Sequence, residues 1–399
     1  MNKSTFFSGQ PIFTQLLKFV SKEAVIHIAQ QHQADRYSKR FNTYEHLVTM
    51  LYSIFNNCNS LREVATGMLA SEQRLRHIGI RFHPRRSTIS DANNRRQANV
   101  FGEIYYALYK KYAFFLADSR KNSKASKLYI FDATTISLFQ EVLRTSGKNP
   151  SGKRKGGIKV HTLIRSDQDV PCMIRYSAAA ANDSQYLKEV QLPKGSIIVF
   201  DRGYYDFTAY NRFTDDGITW VTRRRKLFSY KVLRQYKITV TDGSVVSDEQ
   251  VQLGWRSGIK VIARLVIYKD LASGEQYEFI SNNFKMKATT IAKLYQNRWQ
   301  IELLFKRMKQ NYPLKYFLGD SENAIQIQIW CSLIADLILK IIKKGAAVKW
   351  SFSNLAAMVR LHLMTYIDLG GFLLSPEKSL MKMISQSKQY NHNQLLLIT

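Results

Sequence analysis

Apolar positions recur at helical spacing through the first ~120 residues and then change period. Phe13 to Val20 is a short amphipathic stretch, and Thr43 to Phe55 places Leu47, Met50, Leu51, Ile54 and Phe55 on one helical stripe. Ser60-Leu61-Arg62-Glu63 reads as a capping box opening a helix that carries Val64, Met68 and Leu69. Pro84 breaks the chain; Ser87 or Ser90 is then expected to cap a helix bearing Arg95 and Arg96. A last helix of this region is expected from Asn99 to Phe115. Short helices with arginines near a helix start suit helix-turn-helix DNA binding, and equally a helical bundle with solvated charges.

Residues 119 to 127 form a polar, basic link, after which the pattern becomes that of strands. Leu128 to Phe131, Ile158 to Ile164, Met173 to Tyr176, Ser196 to Phe200 and Ile218 to Thr222 are expected strands. Asp183 to Val190 and Phe207 to Phe213 are the helical connections between them. Three strands close in sequence, followed by alternation with helices, predict a mixed α/β sheet. From about 226 to 285 strands dominate (Lys237 to Val240, Lys260 to Tyr268, Tyr277 to Ile280), so this segment reads as a β-rich insertion. One long helix is expected from Thr289 to Gln310, then a helical tail over Glu322 to Lys343 and Phe352 to Tyr366. The division that follows is 1–118 helical and DNA-binding, 126–315 an α/β core with its insertion, and 316–399 a helical C-terminal region.

Charge narrows the function. The 399 residues hold 59 Lys plus Arg against 30 Asp plus Glu, a formal net charge of +29. Such an excess points to a polyanionic partner, nucleic acid first. Cys58, Cys172 and Cys331 are far apart and form no CxxC pair, which argues against a disulfide framework or a cysteine zinc site. Ile325 to Ile342 is the most apolar run, but Gln326, Gln328 and Asp336 interrupt it, so no membrane span and no signal peptide are expected. The expected location is cytoplasmic.

Two aspartates stand out. Asp132 directly follows Leu128-Tyr129-Ile130-Phe131, and Asp201 directly follows Ile197-Ile198-Val199-Phe200. Carboxylates at strand ends lie where α/β ligands bind, although aspartate also ends strands as a turn residue. Gly203 after Asp201 would permit a sharp exit from the strand. On the expected long helix, Tyr295, Arg298, Glu302 and Lys309 fall within roughly 60° of one another at about 100° per residue. Ile301, Leu304 and Met308 lie opposite. The plain alternative is a solvated face with an i, i+4 pair between Arg298 and Glu302.

If Asp132, Asp201 and Glu302 converge, their hard oxygens suit Mg²⁺ or Mn²⁺, and two such ions serve in-line phosphoryl transfer. Lys153-Arg154-Lys155 and Arg223-Arg224-Arg225 are the densest basic clusters and the candidate phosphate contacts. His161, on a strand near these aspartates, reads as structural rather than catalytic.

The stripe Tyr295-x2-Arg298-x3-Glu302-x6-Lys309, preceded by Asp132 in Tyr129-Ile130-Phe131-Asp132-Ala133-Thr134 and Asp201 in Val199-Phe200-Asp201-Arg202-Gly203-Tyr204, resembles the YREK signature of bacterial insertion-sequence transposases of the DDE class. The resemblance covers about 125 to 315, and residues 1 to about 115 resemble the helical domain that precedes this core in one subgroup. It implies an RNase H-like core with a β-rich insertion. It also implies two metal ions held by Asp132, Asp201 and Glu302, and DNA-phosphate contacts from Tyr295, Arg298 and Lys309. An arginine of 223–225 and a base-stacking aromatic, with Trp255 as candidate, follow from the same resemblance. Arg95 and Arg96 are candidates in the first domain.

The expected partner is double-stranded DNA, the element's ends and its target, bound by at least a homodimer. A hairpin on the excised end is implied by resemblance only. The rival readings are a metal-dependent nuclease without strand transfer, a non-catalytic DNA-binding regulator, and a basic protein on anionic membranes.

Overall fold

The computed structural model describes residues 10–76, 80, 83–118, 127–137, 157–225, 229–238, 240, 242–254, 258–346 and 349–381. The chain forms two units, one of Met1–Leu116 with Arg307–Thr399 and one of Ala117–Lys306.

The first unit is helical: α1 (Ile12–Leu17), α2 (Lys22–Gln31), α3 (Thr43–Phe55), α4 (Leu61–Ala70), α5 (Glu72–Leu75), α6 (Arg86–Arg95) and α7 (Ala98–Leu116) from the N-terminal part. Local side chains set several of these starts. Asn42 and Glu45 form a full capping box on α3. At α4, Ser60 accepts from the Glu63 N–H, but the Glu63 carboxylate takes the N–H of Asn59, one residue before the cap. Neither Ser87 nor Ser90 caps α6, which opens directly after Arg85 with no side-chain cap.

The expected single helix over 289–310 is two helices, α10 (Ala288–Gln296) and α11 (Trp299–Asn311), which follow α8 and α9 of the second unit. The division between units falls within α11, between Lys306 and Arg307. Beyond it lie α12 (Glu322–Gly345), α13 (Phe352–Leu361) and α14 (Leu369–Leu374). The sequence pattern sets 1–118 and 316–399 apart; in the fold α12 packs against α3 and α7, and both stretches share one unit. Gly102 of α7 makes that approach close, because a Cβ there would stand 2.9 Å from ring carbons of Trp330. By length and composition α12 is long and apolar enough to cross a membrane, but most of that stretch is buried inside the structure, as in a core helix.

The second unit carries β1 (Leu128–Ser137), β2 (Gly157–Arg165), β3 (Pro171–Ala178), α8 (Ser184–Leu187), β4 (Ile197–Phe200), α9 (Phe207–Asp215), β5 (Thr219–Arg223), β6 (Tyr230–Gln235), β7 (Val245–Leu253), β8 (Val261–Lys269) and β9 (Gln276–Ser281). They form one nine-stranded sheet in the order β3-β2-β1-β4-β5-β9-β8-β7-β6. β1, β4 and β5 run parallel to their neighbours in that trio, and the other pairings are antiparallel. This mixed α/β sheet agrees with the RNase H-like expectation for β1 to β5.

The β-rich segment is no separate layer: β9 pairs with β5 and extends the same sheet. The expected strand at 237–240 is absent at Lys237 and Ile238, and β6 and β7 flank that position instead. The sheet is covered on both faces. Phe207, Tyr210 and Phe213 of α9 pack with Phe131, Ile198 and Phe200, while Ile291, Ala292 and Tyr295 of α10 pack with Leu128, Ile197 and Val199.

Candidate active site

Strand alternation aims the two aspartates. β1 and β4 are parallel neighbours with Phe131 opposite Phe200, so Asp132 and Asp201 each stand one residue further along. Side chains alternate between faces. Phe131 and Phe200 enter the α9 side, so the residue after each turns to the side that α10 covers. Asp201 leaves β4 without a left-handed glycine: Gly203 has no positive φ, and its role is to donate its N–H to Asp201 Oδ2 at 3.3 Å.

The third component comes from the α10–α11 junction, and here the structure departs from the helical wheel. Tyr295 lies in the last turn of α10, Arg298 in the two-residue link, and Glu302 in the first turn of α11. The link is tightened by i→i−3 bonds from Asn297, Arg298, Gln300 and Ile301 to Leu294, Tyr295, Asn297 and Arg298. The Asn297 amide also donates to the Lys293 carbonyl at 2.9 Å, competing for a backbone acceptor that an unbroken helix would use. The four stripe residues therefore do not share one continuous helix. Ile301, Leu304 and Met308 are buried.

Tyr295, Arg298 and the three acids nevertheless meet. The Tyr295 hydroxyl donates to Asp201 Oδ1 at 3.2 Å. Arg298 Nη1 reaches Asp132 Oδ2 at 3.0 Å, and Nη2 reaches Glu302 Oε1 at 2.6 Å. The N–H of Ala133 donates to Asp132 Oδ1 at 2.8 Å. Arg298 Nε is buried and has no hydrogen-bond partner among the described residues.

Burial pushes the Asp132 carboxyl up to about 6, with Asp201 and Glu302 adding to the rise and the Ala133 N–H and Arg298 opposing it. Burial, then the Asp201 charge, pushes the Tyr295 phenol up to about 12. Burial works against the charge on Arg298, yet Tyr295, Asp132 and Glu302 hold it above the ordinary arginine range. The cluster is thus a pocket of concentrated negative charge satisfied by one guanidinium.

As the side chains stand, no three His, Cys, Asp or Glu groups among the described residues converge closely enough to hold a metal ion. Arg298 lies between two of the acids and Tyr295 engages the third.

The remaining candidates are scattered. Arg223 ends β5 with its guanidinium 4.9 Å from the Tyr277 ring centre, Arg224 pairs with Glu278, and Arg225 is exposed. Lys309 lies further along α11, beyond the division between units. Arg95 is exposed on α6. Arg96 is fully buried: its Nε and Nη2 are bound to Asp35, Thr43, Ser38 and the Phe41 carbonyl, and its Nη1 has no hydrogen-bond partner among the described residues. Lys153, Arg154, Lys155 and Trp255 lie outside the described residues.

His161 is buried, with Nδ1 3.1 Å from the Tyr204 hydroxyl, Nε2 2.9 Å from Ser177 Oγ, and its ring stacked on Tyr186. Burial lowers it to about 4, so it stays neutral as a packed core histidine. The sequence motifs pass over Trp299, between Arg298 and Glu302, whose side chain is 64% exposed. An apolar ring left in water beside an acidic cluster is its only signal.

Comparison with known proteins supplies the context for this geometry. Residues 123–337 match the family model described as a transposase DDE domain, and residues 8–81 match a domain of unknown function (DUF4372). "Putative transposase y4zB" of Sinorhizobium fredii is 31% identical over 264 residues, covering 65% of this chain and 71% of the relative. "Putative transposase for insertion sequence element IS4SA" of Synechocystis is 29% identical over 261 residues, covering 64% and 71%. A solved structure titled "Cryo-EM structure of piggyBac transposase synaptic complex with hairpin DNA (SNHP)" aligns with 90% of this chain and 81% of its own at 10% identity and a TM-score of 0.47. Because the matched domain takes in more than half of the chain, including β1, β4 and the α10–α11 junction, this protein belongs to the DDE transposase family of bacterial insertion sequences, enzymes that act on DNA.

Proposed function

We propose that this transposase binds the terminal inverted repeats of its own insertion element, hydrolyses a strand at each end and joins the resulting 3′-hydroxyl to target DNA. The DDE domain implies dependence on a divalent metal. Asp132, Asp201 and Glu302 are the residues that would hold it, as Mg²⁺ or Mn²⁺ and as two ions. The fit rests on the donor set: three hard carboxylates in one field, already strong enough to draw a guanidinium between two of them. A divalent cation bound there would supply Lewis acidity to the attacking and leaving oxygens of an in-line displacement at phosphorus.

The protein's own groups do the positioning. Tyr295 fixes the Asp201 carboxylate through its hydroxyl. Arg298, with an unused buried Nε–H, can turn from the acids to a phosphate oxygen of the DNA. Arg223, Arg225 and Lys309 contribute further phosphate contacts, and the exposed Trp299 offers a face on which a base unstacked near the cut can rest. Two ends must be processed together, so the active species is at least a homodimer on DNA. It works in the compartment that holds the DNA.

The observation that carries this reading is the single cluster in which β1, β4 and the α10–α11 junction place Asp132, Asp201, Tyr295, Arg298 and Glu302. The test is a cleavage and joining assay on DNA bearing the element's own ends, with Mg²⁺ or Mn²⁺ and with Glu302→Gln alongside. Metal-dependent nicking and joined products, both lost in the variant, support it. Nicking without joining identifies a nuclease. Salt-sensitive binding without cleavage under either metal identifies a DNA-binding regulator.

A further inference from the structure

The first unit holds a cavity of about 640 Å³ that the acidic cluster does not use. It lies between the 37–41 segment and α6. Lys39, Arg40, His83, Arg85, Arg95 and Arg96 line it, against one acid, Asp91, which stands 3.9 Å from Arg95. Lys39, Arg40, Arg85 and Arg95 are exposed, so the wall presents cations to whatever enters.

Three independent features mark it as an anion site. The first is the start of α6. Arg85 gives α6 no side-chain cap and its first turn has no acid; α1 and α10 also start without either, so what sets α6 apart is that Arg85 and Thr88 of its start border this cationic cavity. Arg85 and Arg86 instead place positive charge at the positive end of the helix, which is unfavourable unless an anion joins them. The second is Arg96. Its Nε and Nη2 are anchored on Asp35, Ser38, Thr43 and Phe41, while its buried Nη1 has no hydrogen-bond partner among the described residues. A buried guanidinium nitrogen left unsatisfied is costly.

The third is Tyr37. Its ring is 81% exposed and its backbone sits at φ 63, a conformation that disfavours a bulky side chain. Arg36 stands 5.0 Å from the ring centre, and most of the ring is otherwise open to solvent. A flat ring beside a ring of cations matches a nucleotide, with a face to stack and a phosphate to bind.

We propose that this cavity seats a phosphate of the DNA backbone, held by the open N–H groups of α6 with Arg40, Arg85 and Arg95, while Tyr37 stacks on the neighbouring nucleotide. Arg96 forms the floor of the site from below. This rests on the reading that the chain binds its own element's ends, and it assigns part of that binding to a defined pocket.

The test uses the full chain without metal, so that no cleavage occurs, and a labelled duplex carrying the element's end, by fluorescence anisotropy between about 50 and 200 mM salt. Arg40→Ala, Arg85→Ala and Arg95→Ala should each weaken binding roughly five- to tenfold and lower the slope of log K against log salt by about 0.9. A scrambled duplex should suffer the same proportional loss, because a phosphate carries no sequence. Arg85→Lys should keep the slope. Tyr37→Ala should weaken binding with the slope unchanged, and Tyr37→Phe should bind as the unaltered protein does. Arg40 and Arg95 are exposed, so their variants keep the test valid should Arg85→Ala disturb α6. If the unaltered protein binds and all three arginine variants match it in affinity and slope, the pocket is overturned and the transposase reading stands. If the unaltered protein shows no salt-dependent binding to any duplex, both fall.

Discussion

Arg96 in the helical unit and Arg298 in the sheet unit are both sunk against carboxylates, yet they do different work. Arg96 is sealed, and four of its partners, Asp35, Ser38, Phe41 and Thr43, come from the single stretch that leads into α3. Asp35 in turn accepts from the N–H and hydroxyl of Thr43, so the guanidinium locks one loop onto one helix start. Arg298 divides itself between acids on β1 and α11, retains 16% exposure of its side chain and leaves Nε unused. Each keeps one buried nitrogen without a partner among the described residues, Nη1 on Arg96 and Nε on Arg298. What differs is that one stretch of loop holds Arg96, whereas Arg298 ties β1 to the start of α11.

The sharpest way to break that contrast is to remove the acids. Asp132→Asn, Asp201→Asn and Glu302→Gln should each lower strand cleavage by about 10³-fold or more while the unfolding midpoint in urea barely moves. A large loss of stability in any of them would make the cluster structural. Arg298→Ala should lower cleavage by about 10²-fold and cost roughly 1–3 kcal/mol of stability, since it leaves the largely buried Asp132 without its partner while Glu302 can turn to water.

Arg96→Ala should do the reverse. It strips partners from Asp35, Thr43 and the Phe41 carbonyl, and should cost about 3–5 kcal/mol in denaturant titration. If Arg96→Ala folds as well as the unaltered chain, the two arginines are not different in kind.

Acid should expose a feature the two regions share. Burial holds His46 down at about 3, with Arg96 adding to the fall and its bond to Asn93 opposing it, and burial holds His161 at about 4. Both are neutral in the folded chain, while an unfolded histidine takes up its proton near 6.5. Below that value the unfolded state binds more protons, so stability is full above about 6.5 and falls as pH drops toward the folded values. The slope is about 1.4 kcal/mol per pH unit for each histidine. The Asp132 carboxyl, raised to about 6 by burial, takes up its proton earlier in the folded chain and opposes the histidines over the same range. The check is therefore differential: urea midpoints at about pH 7.5 and 5.5 should show a smaller loss on acidification in His46→Gln than in the unaltered chain.

The smallest expected effect is at a helix start. Asn42→Ala removes the capping box of α3 and should cost about 1 kcal/mol, with cleavage of DNA unchanged once the protein is folded. A change in activity there would tie α3 to the reaction.

Much of the second unit is legible in the order of its residues, because its signals are local. The strand that carries Asp132, the strand that ends just before Asp201 and, in the first unit, the helix over Thr43–Phe55 follow from a few adjacent residues. But β1 runs on to Ser137, so Asp132 lies within the strand and not at its end, because β2 goes on pairing with β1 past it. The motifs also carry the family. Other features cannot be read this way. A period-3.6 count treats 289–310 as one helix, since it has no means of seeing that Asn297 diverts a backbone acceptor and shifts the phase before Arg298. Arg95 and Arg96 look alike as letters, yet one is exposed and the other is sealed by a loop more than fifty residues away. Strand order is decided between residues distant in the chain, which is why the β-rich segment reads as an insertion but joins the same sheet through β9 and β5. Residue order dictates which side chains are at hand for the chemistry and where elements begin, because turns, caps and periodicity act over a few residues. Only the packed fold settles that Phe131 stands opposite Phe200, that Arg298 bridges Asp132 and Glu302, and that Arg96 is spent on holding a loop, because those outcomes depend on which surfaces burial brings together.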